Sequence, residues 1–151
     1  MTKKLFAVDE IVNQQVYRND YWFVVFPRNP LSPFHLIFVT KDNNKKLFGE
    51  LDDEQLISLK NCIKYTTSKV AEEYGSDFDG YNLFSNNGSA RIGQHMDHFH
   101  EHIFIRLISE KESPYVTMAR RETWFTQETE EWREQRRKLE NIFKTTLSIK
   151  E

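Results

Sequence analysis

Histidine recurs at every second position from His98 to His102, and this alternation is the tightest constraint on how the chain can fold. Met96 to Leu107 (MDHFHEHIFIRL) reads as one long strand. Successive side chains on a strand point to opposite faces, so His98, His100 and His102 line one face. Three imidazoles in a row are poor core material, because even a neutral imidazole carries a donor and an acceptor that need partners. They suit proton transfer, nucleophilic attack or metal binding. The other histidines are His95, just upstream, and His35, inside a second apolar run.

The rest of the chain supplies partners for such a strand. Tyr21 to Phe26 (YWFVVF) and Phe34 to Val39 (FHLIFV) are rich in aromatic and β-branched residues, and Pro27, Pro30 and Pro33 punctuate the loop between them. They predict a hairpin with a long connection. Tyr81 to Ser85 is a third strand, and Asn86 to Gly93 a turn-rich loop. Asp53 to Tyr74 is the clearest helix, with Leu56, Leu59, Ile63, Thr66 and Val70 near a helical period. Asp52 and Gln55 have the spacing of a capping box, and Gly75 suits the C-terminal cap. A second helix is expected from Thr126 to about Ile149, with Trp132, Leu139, Ile142 and Phe143 on one face. Strands mixed with two separated helices predict an α+β domain on an antiparallel sheet of about five strands.

Composition narrows the function classes. The 151 residues fit one domain. A formal net charge of −2 argues against electrostatically driven nucleic-acid binding, which needs many Lys and Arg contacts to phosphate. The longest apolar run, Tyr21 to Phe26, is far short of the roughly 20 residues of a membrane span. The N-terminal residues lack the pattern of a secretory signal. The single cysteine, Cys62, excludes an internal disulfide and a cysteine-rich zinc site, and makes a cytoplasmic location the default. Twelve Phe, six Tyr and three Trp predict a heavily aromatic core.

Three blocks together resemble the histidine triad (HIT) family: GQHMDHFHEHIFIR (Gly93 to Arg106), PFHLIFVTK (Pro33 to Lys41), and Asn86 with Gly88 ahead of the triad. The resemblance runs from about Tyr21 to Leu107. It implies a HIT-like fold, with a main helix after the first hairpin, and a single domain over 1–151 with a C-terminal helical extension from about 124. It further implies a nucleotide hydrolase or transferase acting at an α-phosphate, without a metal cofactor at the chemical step. By resemblance His100 is the nucleophile, its second ring nitrogen held by a backbone carbonyl. His102 donates to a phosphate oxygen, and His98 and His35 organise the site. Gln94 touches the phosphates or the leaving group, and Asn86 bonds the phosphate region. A purine base and a homodimer are the implied partners.

Three positions depart from the family pattern. His95 stands where a phosphate-binding Ser or Thr is usual, and an imidazolium there could replace the hydroxyl. Pro27 stands where a short acidic or amide residue meets the ribose, with Asn29 nearby, so no residue is assigned to the ribose. Glu101 stands between the last two histidines where an apolar residue is usual; either its face is partly solvated or it meets a cation such as an arginine. Two other readings stay open: a nucleotide-binding module with little turnover, and a metal-binding protein built on the facing imidazoles.

Overall fold

A computed structural model describes residues 13–94, 96–119 and 129–150. His95 and the expected helix start at Thr126 lie outside the described residues. Five strands form one antiparallel sheet in the order β1-β2-β3-β5-β4: β1 Gln15–Arg18, β2 Trp22–Val25, β3 His35–Thr40, β4 Phe78–Phe84 and β5 His100–Leu107. Helix α1 (Asp53–Tyr74) connects β3 to β4, a short α2 (Pro114–Ala119) follows β5, and α3 (Glu130–Lys150) ends the chain.

Local chemistry sets the bounds of α1. The Asp52 carboxylate accepts from the Gln55 N–H at 3.0 Å, and Gln55 Oε1 accepts from the Asp52 N–H at 2.9 Å, a reciprocal capping box. Gly75 closes the helix at φ 54°, where a side chain would be strained. Its buried face is Leu59, Cys62, Thr66 and Val70 together with the Gln55 cap; Leu56, expected on that face, is 39% exposed instead. The stripe is rotated because Gln55 turns inward to bond Asp42.

One face of the sheet carries the main core. Leu36, Phe38, Ile103 and Ile105 pack there with Trp22, Phe26 and Phe99, and α1 and α3 cover them through Leu59, Val70, Leu139 and Phe143. Most of the aromatic content is spent here, as the composition predicts. Trp132 is buried in this core and stacks on Phe26. The second face, bearing His35, Ile37, Val39, His100 and His102, is set by simple alternation along β3 and β5.

Two strand readings are corrected. β1 is absent from the sequence expectation because Gln15 to Arg18 does not alternate: an irregularity between Gln15 and Tyr17 turns both Val16 and Tyr17 inward. β5 begins at His100, not Met96. The Phe99 N–H turns to the loop after β3, donating to the Lys45 carbonyl at 2.7 Å. Its ring is fully buried against Trp22 and Phe48, and burying that ring bends residues 96–98 out of strand geometry.

Candidate active site

The two central strands bring three of the named histidines together. In the β3–β5 register His35 faces Phe104, Ile37 faces His102 and Val39 faces His100. His35 and His102 are therefore diagonal neighbours on one face, within reach of each other. The His35 ring stacks on Phe104 with centroids 4.4 Å apart, which fixes its plane. Its Nε2 lies 2.9 Å from Nδ1 of His102.

One backbone group decides where the protons in this pair sit. The Leu31 N–H donates to Nδ1 of His35 at 3.0 Å. An amide N–H can only donate, so His35 Nδ1 holds a lone pair and Nε2 holds the proton. That proton points at His102 Nδ1, which must accept, so the His102 proton is on Nε2. Protonating either ring would set two N–H groups against each other. Burial agrees: it holds His35 well below the ordinary imidazole range and, with the neighbouring His100 charge, brings His102 down to about 3. His102 is thus a neutral imidazole with a fixed Nε2–H.

His100 carries the opposite tautomer. Its Nδ1 lies 3.3 Å from the His98 carbonyl oxygen, which can only accept, so Nδ1 bears the proton and Nε2 the lone pair. The rings of His100 and His102 are 5.1 Å apart and nearly edge to face. His98 itself stands in the bend before β5 rather than on the strand face. What it brings to His100 is its backbone carbonyl. Its side chain is half-buried, and that burial lowers its pKa against the opposing pull of Asp97.

The loop from β4 to β5 is built around Asn86 and Gln94. Asn86 Nδ2 donates to the Gly93 carbonyl at 3.2 Å. Gly93 has φ 107°, and a Cβ there would lie 2.6 Å from that same amide, so both conformation and space call for glycine. Gln94 is buried: its Oε1 accepts from the Gly88 N–H at 2.6 Å, and its Nε2 donates to the Lys46 carbonyl at 2.8 Å. Both amides clasp the loop in this structure.

Glu101 faces away from the histidines. It is 7% exposed and lines a cleft of about 680 Å³ between α1 and β4. Among the described residues no cation pairs with it, so the arginine expected as one option is not found. Burial raises its carboxyl to about 7.

An imidazole offering a lone pair beside one offering a fixed N–H can attack an electrophilic centre while stabilising the charge that develops on it. The same geometry is poor for a metal, because His35 and His102 aim their facing nitrogens at each other. Among the described residues no three His, Cys, Asp or Glu side chains are placed to hold one. Sequence reasoning named His35, His98, His100 and His102 but missed the Leu31 N–H. Its signal was the Pro-Leu-Ser-Pro run, in which few backbone donors exist.

Comparison with known proteins places the chain in a family. The family model described as HIT domain matches residues 8–107. An uncharacterised HIT-like protein of Methanocaldococcus jannaschii is 33% identical over 97 residues, 64% of this chain and 71% of its own. Among solved structures, a diadenosine triphosphate hydrolase of Plasmodium falciparum superposes with TM-score 0.65 at 17% identity, covering 96% of this chain and 82% of that one. A Hit-like protein of Bartonella henselae does so with TM-score 0.66 at 19% identity, covering 95% and 100%. A zinc-bound histidine triad family protein of Mycobacterium smegmatis gives 0.64 at 18%, covering 89% and 86%. The three sequence blocks and the opposed imidazoles all lie within the matched segment, and the chain belongs to the HIT family.

Proposed function

We propose that this protein is a nucleotide hydrolase that releases a nucleoside monophosphate from a dinucleoside polyphosphate or a nucleoside phosphoramidate. The observation that carries this reading is the pair of opposed tautomers at His100 and His102. The His100 Nε2 lone pair attacks the α-phosphorus and forms an N–P bond as the bond to the leaving group breaks; the leaving group departs with that electron pair, as a nucleotide anion or, from a phosphoramidate, as an amine that takes a proton from solvent. Water then attacks phosphorus, the N–P pair returns to Nε2, and the water proton leaves to solvent. His102 Nε2–H hydrogen-bonds a non-bridging phosphate oxygen in both steps and keeps its proton, because its Nδ1 is already an acceptor. The hydrolase activity named for the Plasmodium falciparum neighbour supports the substrate class. Phe23, Val25, Ile37 and Val39 form a small apolar cluster on the histidine face and would receive a purine base.

The reading extends to a homodimer. β4 is an edge strand of the sheet. It exposes Tyr81 and Leu83 on the cleft that Phe48 and Leu56 line, and Phe84 on the opposite face, beside His102. An apolar edge of this kind favours pairing with a second copy about a two-fold axis. Light scattering should give a dimer mass, and Leu83→Lys should lower it.

The deciding experiment is single-turnover mixing with an adenosine phosphoramidate and with a diadenosine polyphosphate. AMP release by the wild type, and none by His100→Ala, is the expected result. Binding of both without AMP release would replace the hydrolase with a nucleotide-binding module.

A further inference from the structure

The His35–His102 pair has two self-consistent proton arrangements. In the one described, His35 Nε2–H donates to His102 Nδ1 and His102 presents an N–H outward. In the other, His102 Nδ1–H donates to His35 Nε2, His35 carries its proton on Nδ1, and His102 presents only a lone pair outward. Both keep the 2.9 Å bond between the rings. The second would set the Leu31 N–H against His35 Nδ1–H and would offer no donor to a phosphate oxygen. The position of one backbone N–H therefore selects the arrangement.

That N–H belongs to a loop with few internal bonds, because Pro27, Pro30 and Pro33 have no N–H to give. The loop is held from outside, by α3. Trp132 Nε1–H donates to the Pro27 carbonyl at 2.8 Å, and the indole stacks on Phe26 with centroids 5.5 Å apart. Gln135 Nε2–H donates to the Pro33 carbonyl at 2.7 Å. Trp132 and Gln135 are three residues apart on one helical face, so one turn of α3 grips both ends of the loop. Between the grips lie the Leu31 N–H and a turn in which the His35 N–H donates to the Ser32 carbonyl at 3.2 Å. α3 lies wholly outside the segment 8–107 that the family model matches.

We infer that Trp132 and Gln135 are positioning residues that set the tautomer of His102 from outside the HIT segment, acting through the Pro27–Pro33 loop, Leu31 and His35. Its catalytic consequence rests on the proposed hydrolase reading; its tautomer consequence does not.

Gln135→Ala removes one grip at a partly exposed position. Trp132→Phe removes the other while keeping an aromatic ring on Phe26. Long-range proton–nitrogen NMR of the imidazoles reads the tautomers directly, without substrate. The wild type should show Nε2–H at His35 and His102 and Nδ1–H at His100. The double variant should show an Nδ1–H population at His35 and His102, with His100 unchanged. Its kcat should fall on the order of tenfold with KM nearly constant, less than the 10²–10³-fold of deleting an oxyanion donor outright. Gln135→Lys, which restores a donor for the Pro33 carbonyl, should recover most of both. A purely structural role would lower the melting temperature and leave the tautomer pattern intact. Unchanged tautomers in a folded double variant would overturn the inference, and Gln135→Ala alone serves the same test if the double variant does not fold. A wild type with the expected tautomers but no AMP release would overturn only the hydrolase reading.

Discussion

His100 and His102 leave the same strand face two residues apart, yet their protons sit on opposite nitrogens. The difference lies in what holds each ring from behind. His100 leans on the carbonyl of His98, two residues back along the chain. His102 leans on His35, 67 residues away, and His35 on a loop amide that the C-terminal helix secures. The proposed nucleophile is thus prepared by local chain geometry, and the proposed donor beside it by a relay across the fold. The first is robust to distant change; the second is exposed to it.

The largest break in that comparison is His100→Ala, which deletes the proposed attacking atom. AMP release should fall by at least about 10⁴-fold in single-turnover assays, since the proposed covalent step is lost with that imidazole. His102→Ala should cost about 10²–10³-fold in kcat and leave a nucleotidyl-histidine detectable by mass spectrometry after quenching. A loss as large as that of His100→Ala, with no intermediate, would mean that His102 does more than donate a hydrogen bond.

Acid separates the two rings further. The buried His102 titrates at about 3, against 6.5 for an exposed imidazole, so the unfolded chain takes up that proton first. Its stabilising contribution is complete above 6.5 and is lost as pH falls toward 3, by up to about 1.4 kcal/mol per pH unit. Denaturation midpoints measured from pH 7 to pH 4 should show this decline. Activity should also fall with acid, because an imidazolium cannot attack phosphorus, while His102 stays neutral across the same range. A rate flat from pH 8 to about pH 5, where free imidazole titrates, would remove His100 from the nucleophile role.

The smallest effect concerns Glu101, between the two histidines on the other face. The folded chain holds its carboxyl near 7 against 4.5 when exposed, and so binds a proton that the unfolded chain releases. The associated stability is present below 4.5 and is lost as pH rises through 7. Glu101→Gln should therefore stabilise the protein at pH 8 by about 1 kcal/mol, a figure discounted because solvent in the cleft screens the charge. At pH 5 the variant should be nearly neutral, which urea denaturation at the two pH values would check.

The features legible from the residues alone are local ones. The alternation that puts His100 and His102 on one face, the bounds of α1, its Asp52–Gln55 box and the apolar stripe of α3 depend on residues within a turn or two of each other. The family blocks were legible for the same reason. β1 was hidden because an irregularity in its pairing breaks the two-residue period, and the departure of His98 from the strand because it follows from where the Phe99 ring is buried. Only the tertiary structure decided which nitrogen of His102 carries the proton. That choice depends on bonds between residues 67 and 105 apart, from His35 to His102 and from Trp132 to Pro27, and no local pattern marks the ends of such bonds.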